Sequence, residues 1–126
     1  MDFIDRVQGL STRIKQLRQR VAAIETEEAT KNAFVMPFIS EILGYNVFDP
    51  TEVVPEFTAD VGIKKGEKVD YAILKDGKPI ILFECKRVGT DLDKEPASQL
   101  YRYFSVTEAR LGVLTDGVLY RLFSDL

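Results

Sequence analysis

The sequence predicts an α/β domain with a central mixed β-sheet flanked by helices and a long amphipathic helix at the N-terminal end. Three observations carry this. Near the start apolar residues recur at steps of three and four, the period of a helix; after Pro50 they gather into short runs bounded by Gly-containing turns, as strands do. A further helical stretch interrupts the strands, so the order reads helix, helix, three strands, helix, two strands. At 126 residues there is room for one core, which at this length buries about two-thirds of the surface the unfolded chain exposes.

The first helix is expected within residues 1–25, with Phe3, Val7, Leu10, Ile14, Leu17, Val21 and Ile24 on one narrow seam. Arg13, Lys15, Arg18 and Arg20 lie between them, so the outer face is basic. Three readings of this helix are open. It can dock on its own domain, pair with a second copy or a neighbouring domain through a coiled-coil-like seam, or offer its basic face to DNA. The remaining residues, 26–126, are expected to form one compact domain. Thr26 before Glu27 and Glu28 reads as an N-cap with acids in the first turn, where the helix dipole favours them, and opens a helix running to Leu43. Phe34, Phe38, Ile42, Val35, Ile39 and Leu43 give it a broad apolar face, and Pro37 should bend it.

Strands are expected at residues 52–57, 68–74 and 79–88, with Asp76-Gly77 turning between the last two. The intervening stretch, 59–67, is a Gly-containing loop carrying Lys64 and Lys65. A helix is expected over 91–106, then strands at 111–115 and 118–123 joined by Asp116-Gly117.

Composition excludes several chemistries. The one cysteine, Cys85, cannot form an intrachain disulfide, and with His at 0 both zinc sites and histidine acid–base mechanisms are effectively ruled out. No Gly-x-x-x-x-Gly-Lys-Ser/Thr segment occurs, so a P-loop is excluded too. Neither a signal peptide nor a run approaching ~18 apolar residues is visible, so a cytoplasmic location is expected. Lys+Arg 17 against Asp+Glu 20 gives a net charge of -3, so any nucleic-acid contact must be local.

The chemistry concentrates in the third strand, where the apolar run Ile80-Ile81-Leu82-Phe83 ends in Glu84-Cys85-Lys86-Arg87. Side chains alternate along a strand, so Glu84 and Lys86 share one face and Phe83 and Cys85 the other. On the preceding hairpin strand Asp70 is a second acid beside an apolar run, and the two strands can hold both acids together. Adjacent carboxylates repel, and a hard divalent cation such as Mg²⁺ resolves the repulsion while polarising a phosphate and acidifying bound water. A lysine beside them can offset charge developing on that phosphate. An inert ion-pair network is the bland alternative, although one lysine cannot neutralise two acids.

Asp70, thirteen intervening residues, then Glu84-Cys85-Lys86 resembles the PD-(D/E)xK nuclease core, except that Val69 replaces the proline. Gln99-Leu-Tyr-Arg-Tyr103 is similar to the Gln-x-x-x-Tyr motif of one branch of that superfamily. Glu27-Glu28-Ala29 and Pro37-Phe38-Ile39 resemble the N-terminal nuclease domain of type I restriction enzyme R subunits and related predicted type IV restriction enzymes.

This resemblance implies a restriction-endonuclease-like sheet and Mg²⁺-dependent hydrolysis of DNA. It implies Asp70 and Glu84 as metal ligands, the Cys85 carbonyl as a third, Lys86 as the catalytic lysine and Glu28, preferred to Glu27, as an early-helix acid completing the site. Glu28 as a plain first-turn acid and Cys85 as a small core residue remain the alternatives. Gln99 and Tyr103, a helical turn apart, are expected to support the site or contact the DNA backbone. Arg87, Lys64 and Lys65 are candidate phosphate contacts or solvated charges. The implied partners are DNA, a motor, and specificity or methylation subunits, on other chains or on a C-terminal continuation beyond Ser124-Asp125-Leu126; a homo-oligomer through the first helix is a further expectation. The rival reading is a DNA-binding or assembly module that keeps the nuclease fold without turnover; a nuclease acting on RNA or modified DNA is a third.

Overall fold

Between the second and third strands, Asp76 and Gly77 both take positive φ, 52° and 78°, the conformations that let a two-residue turn follow the strands' own twist. The hairpin they close joins β2 (Val69–Lys75) to β3 (Lys78–Cys85). The structure is a computed structural model and describes residues 2–20, 26–58 and 68–124. With β1 (Val53–Phe57), β4 (Leu111–Thr115) and β5 (Tyr120–Ser124), the hairpin forms one five-stranded sheet in sequence order. Every neighbouring pair is antiparallel except β3 and β4, which are parallel, so the sheet is mixed. The crossover a parallel pair requires contains a 3₁₀ turn (Leu92–Lys94) and an α-helix over Ser98–Val106.

Alternation along the strands feeds a core on each face of the sheet. Ala72 and Leu82 pack with Leu100, Tyr103 and Phe104 of the crossover helix, while Ile73, Phe83 and Cys85 pack with Val35 and Ile39 of the helical segment that precedes the sheet. That segment begins as α-helix over Glu27–Thr30, capped as expected by Thr26, whose hydroxyl accepts from the Ala29 N–H at 3.0 Å. It then widens. Met36 N–H bonds the Lys31 carbonyl and Leu43 N–H the Phe38 carbonyl, each one residue further back than in an α-helix, giving π turns over Lys31–Val35 and Phe38–Ile42. Pro37, which has no N–H to give, lies between them; the helix expected to run to Leu43 with a bend at Pro37 is a helical segment with π turns on both sides of its proline.

Two other boundaries differ from expectation. The helix foreseen over 91–106 is broken: Asp91 caps a short 3₁₀ turn, Glu95 is extended, and the α-helix starts only after Pro96. The third strand ends at Cys85, three residues early, because Val88 N–H turns to the Thr30 hydroxyl (3.1 Å) and Gly89 N–H to the Asp116 carboxylate (3.1 Å). Asp116 is buried and also takes the Val118 and Leu119 N–H groups, which lengthens the final turn to the four residues between Thr115 and Tyr120. Gly117 makes that turn at φ 87°, where an added Cβ would lie 2.8 Å from Cβ of Phe34.

The N-terminal helix, α1 (Phe3–Arg20), docks beside the Phe38–Ile42 turn through the middle of its seam. Leu10 is buried and Arg13 reaches Glu41 at 2.5 Å, whereas Phe3 and Ile4 are 55% and 63% exposed. Val21 and Ile24, the last seam residues, lie outside the described residues. Among the described residues no helix is long and apolar enough to cross a membrane.

Candidate functional site

At the end of β2 and β3 away from their turn, the ladder stops at Tyr71 opposite Phe83. Asp70 and Glu84 are the next residues in that register. Instead of a backbone bond, the Asp70 carboxylate takes the Cys85 N–H on Oδ2 at 2.7 Å, so a side chain closes the gap between the parting strands. Glu84 is hydrogen-bonded to Asp70. Burial first, then that bond and the Asp70 charge, push the Glu84 carboxyl up to about 9, with Lys86 pulling the other way. At neutral pH the Glu84 carboxyl is therefore held in its protonated form.

The second oxygen of Asp70 has a partner the sequence reading did not select. Lys31 is buried, and its Nζ lies 3.2 Å from Asp70 Oδ1 and 2.7 Å from Glu28 Oε1, with the Tyr71 ring 5.9 Å away. Burial alone would lower the Lys31 ammonium; the hydrogen bonds and charges of Glu28 and Asp70 outweigh it and hold the group above the ordinary lysine range. The sequence signals at most its pairing with Glu28, one helical turn earlier; its burial and its contact with Asp70 come only with the fold.

Glu28 thus stands on Lys31, with its side chain 75% exposed, rather than joining Asp70 and Glu84. The early-helix acid whose charge acts on Glu84 and Cys85 is its neighbour, Glu27. Among the described residues no group of three or more His, Cys, Asp or Glu side chains is arranged to hold a metal ion. The oxygen donors brought together are those of Asp70 and Glu84.

Cys85 is buried on the other face of the sheet, with Phe83 and Ile39. Burial, then the Asp70 charge, push its thiol well up, so its sulfur is an inert core atom. Lys86 follows it, its N–H bonded to the Thr115 carbonyl at 2.8 Å and its Nζ 3.8 Å from Glu95 Oε2. Arg87 is exposed beside it. Lys64 and Lys65 lie outside the described residues.

Gln99 and Tyr103 grip the strand ends that flank residues 59–67. Gln99 donates to the Lys68 carbonyl just before β2, and the Tyr103 hydroxyl lies 3.5 Å from the Phe57 carbonyl at the end of β1. Tyr103 is fully buried, so of its two expected roles burial favours support over contact with DNA.

Fold and site together define an α/β domain whose β2 and β3 part around a pair of carboxyl groups, Asp70 and Glu84, with a lysine on the helical segment and another just past β3. Residues 26–125 match the family model of the type I restriction enzyme R protein N terminus (HSDR_N), and the chain belongs to that family. No match was found among curated proteins or among solved structures. Membership supports a role in a restriction system.

Proposed function

We propose that this chain is a Mg²⁺-dependent DNA endonuclease domain of a restriction system, hydrolysing phosphodiester bonds at Asp70 and Glu84. What carries the reading is the carboxyl pair itself. Two acids are held together where β2 and β3 part, burial and Asp70 raise the Glu84 carboxyl, and a hard cation bound between them would relieve the same repulsion. The donors fit such a cation: oxygen only, with the Cys85 carbonyl as a third protein ligand. Glu28 would join only by leaving Lys31, so Glu27 is the better-placed candidate for a fourth protein ligand, the third acid of the site.

Bound there, Mg²⁺ would polarise the scissile phosphate and make a water molecule more acidic. The protein's own contribution is orientation and charge. The Cys85 N–H and the Lys31 ammonium fix both oxygens of Asp70. Lys86, loosely paired with Glu95, can exchange that partner for a phosphate oxygen as negative charge develops. Gln99 steadies the start of β2 and Tyr103 the end of β1, while Arg87, Lys64 and Lys65 are proposed contacts to flanking phosphates. DNA is the partner this site requires. Motor and specificity or methylation functions, supplied by other chains or by a continuation of this one, are its proposed companions. A supercoiled plasmid incubated with the protein and Mg²⁺ should be nicked or linearised, and chelator should stop it. Plasmid retained but uncut in Mg²⁺ would instead favour a DNA-binding or assembly module without turnover.

A further inference from the structure

The buried ammonium of Lys31 belongs neither to the carboxyl pair nor to the motif ending in Lys86, yet it touches Asp70 directly. Its surroundings leave it no other service. It is 6% exposed, 2.7 Å from Glu28 Oε1 and 3.2 Å from Asp70 Oδ1, and it lines a cleft together with Glu28, Asn32, Val53, Pro55 and Tyr71. On the opposite side Asp70 Oδ2 is held by the Cys85 N–H at 2.7 Å. The carboxylate is therefore pinned from both ends, and one of the pins carries a full positive charge.

We infer that Lys31 is a positioning residue that sets the divalent-cation affinity of the Asp70–Glu84 pair, holding Asp70 in place while keeping the DNA-free site weak for metal. The inference rests on the metal-dependent reading of that pair. Its physical basis is elementary. A fixed cation on one oxygen of a ligand carboxylate draws off part of the negative charge a metal would use, and it repels a second cation across a partly buried gap where screening is poor. A substrate phosphate approaching the site brings negative charge that offsets this repulsion, so metal and DNA should bind cooperatively. A neutral side chain in place of Lys31 would leave the carboxylate more negative and less fixed.

The test is calorimetric titration of Mn²⁺ into the DNA-free protein, with folding of each variant checked by circular dichroism. Lys31→Met, and Lys31→Gln as a second neutral variant that keeps a hydrogen-bond donor, should bind Mn²⁺ roughly tenfold more tightly than the natural chain, from the loss of one nearby positive charge. Lys31→Arg, which keeps the charge, should bind as the natural chain does. The gain should shrink when a short DNA duplex is present, because the cooperativity that Lys31 creates is lost with it. A merely structural lysine would lower thermal stability in the neutral variants without tightening metal binding. Unchanged or weaker Mn²⁺ affinity in the folded neutral variants, with binding still abolished by Asp70→Asn, would overturn the inference and leave the metal reading standing. Mn²⁺ binding that Asp70→Asn does not alter would overturn both.

Discussion

Lys86 and Glu95 stand 3.8 Å apart with side chains 28% and 30% exposed, the kind of pair that contributes ~0–1 kcal/mol to stability. Lys86→Met should therefore unfold within about 1 kcal/mol of the natural chain in a denaturant titration, while plasmid cleavage falls ~100-fold or more, because an ammonium that meets developing charge acts mainly in the transition state. A parallel loss of stability and cleavage would make the lysine a structural counter-ion instead. Glu84 supplies a pH signature. Folding raises its pKa from 4.5 to about 9, so the stability its proton contributes is fully present below 4.5 and is lost as pH rises through about 9. The metal-free protein should melt at falling temperatures across that window, whereas Glu84→Gln, which cannot ionise, should show a flatter profile. The acids were legible in the sequence because a charge closing an apolar strand is conspicuous. Lys31 was not, since a lysine in a helix ordinarily faces water and only the fold brings Asp70, thirty-nine positions away, to meet it.

At the scale of elements, strand placement was legible wherever turn chemistry was explicit: Asp76-Gly77 makes a two-residue hairpin, and β4 occupies the expected residues 111–115. The boundaries that moved are those set by groups distant in sequence. The end of β3 depends on Thr30 and Asp116, and the length of the last turn on a buried carboxylate shared between two segments. Pro96 was a local signal in plain view, and its missing N–H divides the crossover into a 3₁₀ turn and a helix. The seam of α1 was readable as a seam, but its partner was not. Only its middle docks: Leu10→Ala should cost about 2 kcal/mol by chemical denaturation, while Phe3→Ser, at a seam position 55% exposed, should leave stability unchanged. Equal losses at the two positions would place the whole seam against the domain, and a fall in solution mass with Phe3→Ser would mark the exposed end as a contact between copies.

Across the whole molecule, a net charge of -3 requires any DNA contact to be local, and the charged groups proposed to serve it gather where β2 and β3 part. The sheet brings two acids together, the early helical segment brings Lys31 to one of them, and the chain leaving β3 carries Lys86 and Arg87 past the same end. The Gln-x-x-x-Tyr pair holds the two strand ends from behind, so motifs separate in sequence converge on one edge of the fold. Family membership places this edge in the N-terminal domain of a type I restriction enzyme R protein. The measurement that addresses the account most directly is Mg²⁺-dependent plasmid cleavage by the natural chain beside Asp70→Ala and Glu84→Ala, each shown to be folded. A metal site built on the two acids predicts cleavage by the natural chain and none above background by either variant. Cleavage that survives in both variants would contradict it.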